Sequence, residues 1–201
     1  RSQLISLSIG AWKPGFTSVI GNAGFSVAGA AGETSSGYRD LDLPTLVMAD
    51  GPAGLRISPD YTENKDGPVA IRDGLPGFME DYLPKTAVRL LGLFSKKPSG
   101  EIRHQYATAI PIGTALAQSW DEDFARLCGD IVGDEMQRFG VHLWLAPAMN
   151  IHRDIRCGRN FEYYSEDPLL TGLMASAVTE GVQSHPGRAV TIKHYAANNQ
   201  E

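Results

Sequence analysis

Residues 141–147, VHLWLAP, run into residues 150–168, NIHRDIRCGRNFEYYSEDP. The first segment is a short apolar run of the kind that forms a buried strand. The second packs Arg153, Asp154, Arg156, Arg159, Glu162, Glu166 and Asp167 into a stretch with neither helical nor strand period, so it reads as a long loop. Asn160, Phe161, Tyr163 and Tyr164 sit among those charges. Disordered segments are poor in aromatics, so this composition argues for an ordered loop. Long ordered loops dense in hydrogen-bonding groups are usually functional. Asp167-Pro168 then opens a helix, with the carboxylate at the N-cap and proline at the first helical position. Leu170, Leu173, Met174, Ala177, Val178 and Val182 form its inward face, and His185-Pro186-Gly187 ends it.

The same order recurs on either side. Upstream, a helix over about 121–139 is capped by Asp121 or Ser119 and stopped by Gly140. Phe124, Leu127, Cys128, Ile131, Val132 and Met136 share one of its faces. Downstream, AVTIKH (189–194) is another strand; far upstream, LPTLVMA (43–49) is a third, ended by Asp50-Gly51-Pro52. Continuously apolar strands alternating with helices predict a parallel α/β fold. Each strand ends in polar residues: Asp50, then Asn150 and His152, then Lys193-His194. Functional groups gather at such C-terminal strand ends in (β/α)₈ barrels and in open doubly wound sheets alike.

Residues 1–40, rich in Gly, Ala and Ser, read as turns rather than regular elements. Residues 58–106 read as an insertion, polar and Gly/Pro-rich at first, with one amphipathic helix in YLPKTAVRLLGLF (82–94). The single Lys-Lys pair in the surface turn that follows, SKKPSGE (95–101), is too little for membrane contact. The 201 residues suffice for one domain or a large part of a bigger one. A net charge of −5 disfavours a general nucleic-acid binder, and no apolar run reaches 18 residues, so no membrane partner is expected. Cys128 and Cys157 lack metal or redox spacing and read as free thiols, which favours a reducing, cytoplasmic setting, with secretion as the alternative. No histidine pair has metalloprotease spacing, and no phosphate-loop, dinucleotide, serine-hydrolase or calcium-loop pattern occurs.

Several readings stay open for the polar strand ends. Lys193-His194 could be a Schiff-base lysine, an anion clamp, a set of donors to a polyhydroxylated ligand, or half of an ion pair with a loop carboxylate. Arg159 could brace Glu162 or Asp154, or present its fork to a ligand. Asp50 could accept from two adjacent hydroxyls or cap its own turn. Arg153-Asp154 reads as an internal pair that shapes the loop.

Four segments, MADGPAGLR (48–56), ATAIPIGTALAQSWD (107–121), residues 140–172 and TIKHYAANNQE (191–201), resemble in order and spacing the N-terminal barrel domain of glycoside hydrolase family 3, and most of all its β-glucosidases. The resemblance covers nearly all of the chain outside 58–106. It implies the N-terminal part of a (β/α)₈ barrel, incomplete in this chain, and a retaining hydrolase of terminal non-reducing β-D-glucosyl or similar residues. Asp50, Arg56, Arg159, Lys193 and His194 would bind the substrate, a β-glucoside or oligosaccharide, without metal or other cofactor. The family's nucleophilic aspartate and its acid/base lie downstream of the last motif. The chain is therefore expected to be a fragment that holds neither catalytic carboxylate, is inactive alone, and needs the C-terminal part of the same polypeptide. The residues after His194 differ from the KHxPGHG pattern of the family's N-acetylglucosaminidases, which points to unsubstituted sugars. The alternatives are a non-catalytic sugar-binding module built on a degenerate barrel, and a Schiff-base aldolase using Lys193.

Overall fold

The computed structural model describes residues 2–11, 25–65, 67–71, 82–84, 86 and 100–199. In chain order its elements are α1 (Ser2–Ile9), β1 (Gly32–Glu33), a 3-10 turn (Ser36–Leu41), β2 (Val47–Ala49), β3 (Asp60–Asn64), β4 (Gly67–Ala70), β5 (Ile102–His104), α2 (Gly113–Ser119), α3 (Glu122–Phe139), β6 (Leu143–Trp144), a second 3-10 turn (Asn160–Glu162), α4 (Pro168–Gln183) and β7 (Ala189–Val190). The chain divides into two compact units, residues 1–47 with 57–106 and residues 48–56 with 107–201.

The first unit contains a three-stranded antiparallel sheet in the order β4-β3-β5. Gln105 ties this unit together by donating to the carbonyls of Ala28 and Ser58 at 2.9 and 2.8 Å. Glu33 is buried, and its carboxylate accepts from Ser26 N–H at 2.8 Å, from Ser26 Oγ at 3.0 Å and from Ser36 Oγ. The expectation of turns throughout residues 1–40 needs correction at the start, where Ser2–Ile9 is helical. No Gly or Pro punctuates that stretch before Gly10. The amphipathic helix expected at 82–94 lies largely outside the described residues.

The second unit is a parallel α/β arrangement, as the strand–helix alternation predicts. Met48 and Ala49 pair with Leu143 and Trp144, which pair in turn with Ala189 and Val190. The ladders are shorter than the apolar runs. Leu43 and Leu46 are 41% and 43% exposed and Ile192 is 55% exposed, so apolar sequence extends past the paired backbone. Trp144 is among the largest fully buried side chains and donates from Nε1 to the Gly51 carbonyl at 2.9 Å.

Helix boundaries follow their caps. Asp121 accepts from Phe124 N–H at 2.9 Å to start α3, and Asp167 accepts from Leu169 N–H at 2.8 Å to start α4. Gly140, at φ +73°, closes α3 in the left-handed conformation that glycine adopts without penalty. The inward face of α3 differs from expectation: Ala125, Cys128, Gly129, Val132, Gly133 and Met136 are buried, whereas Phe124 and Leu127 are 39% and 53% exposed. The reason is a close helix–helix approach. A Cβ at Gly129 would collide with the Val178 carbonyl, and one at Gly181 with the Arg126 carbonyl, so small residues form the α3–α4 seam. On α4, Leu170, Met174, Ala177, Val178 and Val182 are buried as expected, but Leu173 is 41% exposed.

Candidate functional site

Parallel pairing brings the C-terminal ends of β2, β6 and β7 to one edge of the second unit. Lys193 N–H donates to the Pro147 carbonyl at 3.1 Å, and an isolated parallel bridge joins Lys193 to Ala148, so the β6–β7 alignment continues past the strands proper. From there Lys193 Nζ donates to Asp50 Oδ1 at 2.6 Å, both side chains being largely buried. Asp50 begins a tight loop in which Arg56 N–H returns to the Asp50 carbonyl at 2.8 Å. Gly51 makes that return possible: its φ is +110°, and a Cβ there would strike the Gly54 carbonyl. The loop sets the Arg56 guanidinium on Asp50 Oδ2. Burial pushes the Asp50 carboxyl up, but the hydrogen bonds from Lys193 and Gly51 N–H and the charges of Lys193 and Arg56 outweigh it and hold the group below its ordinary range.

The long loop supplies the second half. Thr114 Oγ1, at the start of α2, donates to the carbonyls of Asn160 and Tyr163 at 3.0 and 2.8 Å and secures the 3-10 turn. Arg159 Nε donates to Oε1 of the buried Glu162 at 2.5 Å, which raises the arginine further above its ordinary value. Its Nη2 lies 2.8 Å from His194 Nε2. Arginine has no acceptor, so Nε2 must be the unprotonated nitrogen. The neutral ring then carries its proton on Nδ1 and donates to the Tyr163 hydroxyl at 3.2 Å, which also accepts from Asn198 Nδ2 at 2.9 Å. Burial, then the charges of Arg159 and Lys193, hold the His194 pKa down against Glu162 and Asp50. Burial raises the Tyr163 phenol, opposed by Arg159.

Among the described residues, no group of three or more His, Cys, Asp or Glu side chains is placed to hold a metal ion. Several donors and acceptors of this cluster remain uncommitted. Two Lys193 hydrogens remain after Asp50, Arg159 Nη1 has no partner among the described residues, and both Asp50 oxygens keep lone pairs.

Residues 94–200 match the model of the glycosyl hydrolase family 3 N terminal domain. The chain belongs to glycosyl hydrolase family 3. β-Glucosidase A of Butyrivibrio fibrisolvens is 49% identical over 162 residues, covering 81% of this chain and 14% of that protein. Thermostable β-glucosidase B of Acetivibrio thermocellus is 35% identical over 161 residues, covering 80% of this chain and 17% of that protein. The chain thus spans well under a fifth of the length of these curated relatives. Among solved structures, β-glucosidase 3B of Thermotoga neapolitana matches at TM-score 0.64 and 39% identity in its glycerol complex, covering 92% of this chain and 22% of that one. Its glucose complex matches at TM-score 0.63 and 38% identity with the same coverage.

This family 3 chain brings all five expected residues into one run of contacts, Arg56–Asp50–Lys193 joined by the Lys193-His194 peptide bond to His194–Arg159. Of the two readings of Arg159, the bracing of Glu162 is observed, and Nη1 has no partner among the described residues. His194 is the exception to simple exposure, because both ring nitrogens already have protein partners. The expected Arg153–Asp154 pair does not form. Asp154 pairs with Arg156, accepting its backbone N–H at 2.9 Å and its Nη2 at 2.7 Å, because a short acidic side chain readily bonds two residues ahead. Asn150, in sequence only a polar strand end, and Glu162, Tyr163 and Asn198 join the five through hydrogen bonds to His194, Arg159 and the Tyr163 hydroxyl.

Proposed function

We propose that this chain is part of a retaining glycoside hydrolase acting on terminal non-reducing β-D-glucosyl or similar residues, and that it supplies the sugar-gripping side of the site. What carries the reading is the convergence of Asp50, Lys193, Arg159 and His194 at the C-terminal ends of parallel strands. The relatives support it, being β-glucosidases, one of them solved with glucose. In this reading Asp50 accepts from adjacent hydroxyls of a β-glucoside or oligosaccharide, while Lys193, Arg159 Nη1 and Arg56 donate. His194 orients Arg159 in the free state and offers Nε2 to a ligand hydroxyl when Arg159 turns to the sugar. Such contacts accelerate the reaction to the extent that they tighten on the oxocarbenium-like transition state.

The fold belongs to the same proposal: the strands described here form part of a (β/α)₈ barrel, with residues 58–106 inserted into it. The nucleophile and acid/base come from further polypeptide, so residues 1–201 alone would not turn over. Cytoplasmic placement is supported by two buried free thiols, Cys128 and Cys157. The test is hydrolysis of aryl β-glucosides by the full-length protein and by residues 1–201. Turnover by the full-length protein alone supports the reading; sugar binding without turnover would make it a binding module.

A further inference from the structure

Where the β6–β7 alignment runs out, a side chain takes it over. Ala148 and Lys193 form the last parallel bridge, and Met149 N–H donates to the Lys193 carbonyl at 2.9 Å. The next residue, Asn150, takes both main-chain groups of His194 with its carboxamide. Its Nδ2 donates to the His194 carbonyl at 3.1 Å, and its Oδ1 accepts from His194 N–H at 2.8 Å. A carboxamide offers a donor and an acceptor side by side, as a strand backbone does. Backbone bonds to Pro147 and Met149 thus hold the Lys193 end of the dipeptide, and the Asn150 side chain holds its His194 end, beside Arg159.

We infer that Asn150 is a positioning residue, a side-chain substitute for a strand partner that fixes the His194 end of the Lys193-His194 dipeptide and with it the His194 ring against Arg159. The inference rests on the functional reading above. It demands both halves of the amide. Asn150→Asp keeps the acceptor for His194 N–H, but sets a second oxygen against the His194 carbonyl. Protonation restores an O–H donor beside a C=O acceptor, and with it the shape of the clamp.

The experiment compares full-length wild type, Asn150→Asp and Asn150→Ser by kcat/KM on an aryl β-glucoside, by calorimetric glucose affinity and by Tm. Displacement of bound groups by about 1 Å costs on the order of 100-fold, so a loss of about that size is expected for both variants at pH 7, with Tm close to wild type. The ratio of Asn150→Asp to wild type rises as the pH falls toward about 4, where the new carboxyl protonates, while the Asn150→Ser ratio stays flat. If Asn150→Asp does not fold, the fall in kcat/KM and affinity of Asn150→Ser at unchanged Tm carries the test. Wild-type affinity and kcat/KM in Asn150→Ser, or a flat pH ratio in folded Asn150→Asp, overturns the inference. A wild-type protein that binds glucose without hydrolysing it fails the functional reading alone, and the affinities then decide the role of Asn150. One that neither binds nor hydrolyses fails both.

Discussion

Lys193 Nζ donates to Asp50 Oδ1 at 2.6 Å across 143 residues of sequence. The contact joins the end of the first parallel strand of the second unit to the continuation of its last. It is both a fastening of the fold and the centre of the proposed site.

Breaking that contact has a defined pH signature. Asp50 titrates below the usual carboxylate range because Lys193 and its other donors outweigh burial. Its stabilisation is thus fully present above the unfolded value of about 3.9 and is lost as the pH falls through the lower folded value. Lys193→Met should lower stability by about 1.5–3 kcal/mol at pH 7, the size of a hydrogen bond to a charged group. Tm measured between pH 7 and 3 should show the wild-type advantage shrinking below about pH 4. A constant difference across that range would mean that Asp50 does not draw its shift from Lys193.

Glu162 is buried under Arg159 and accepts from its Nε at 2.5 Å. Glu162→Gln keeps the shape and removes the charge. Urea unfolding should show a loss of about 1–2 kcal/mol, below the value for a fully buried pair because Arg159 is 37% exposed. Activity should fall more than stability, since the same arginine reaches His194. A variant with wild-type kcat/KM would free Glu162 from any role in placing Arg159.

The α3–α4 seam makes a prediction independent of function. Gly129→Ala places a methyl group against the Val178 carbonyl. Although alanine favours helix over glycine by roughly 1 kcal/mol, overpacking costs about 1–3 kcal/mol, so net destabilisation is expected in chemical denaturation. A more stable variant would show that the helices can separate at little cost.

What the sequence reveals here follows how local each feature is. The caps at Asp121 and Asp167-Pro168 and the stop at Gly140 were legible because each is set within a few residues. Parallel strands were legible as apolar runs, but their lengths were not, since pairing depends on neighbours far along the chain. The buried face of α3 departs from the sequence pattern for a physical reason: counting large apolar side chains favours Phe124 and Leu127, whereas the seam is built on Gly129 and Gly181. The five expected site residues converge; Asn150 was legible only as a polar strand end, since its bonds and that of Tyr163 reach His194, 44 and 31 residues away, where no local pattern connects them.

The most direct test of the sugar-gripping proposal is kcat/KM of full-length Asp50→Asn on an aryl β-glucoside, read beside its Tm. The substitution keeps the size of the side chain and removes the charge that Lys193 and Arg56 hold. The account predicts a fall of at least about 100-fold with the fold retained, the scale seen when one placed polar group is lost from a transition-state site. Near-normal kinetics in a folded Asp50→Asn enzyme would contradict it.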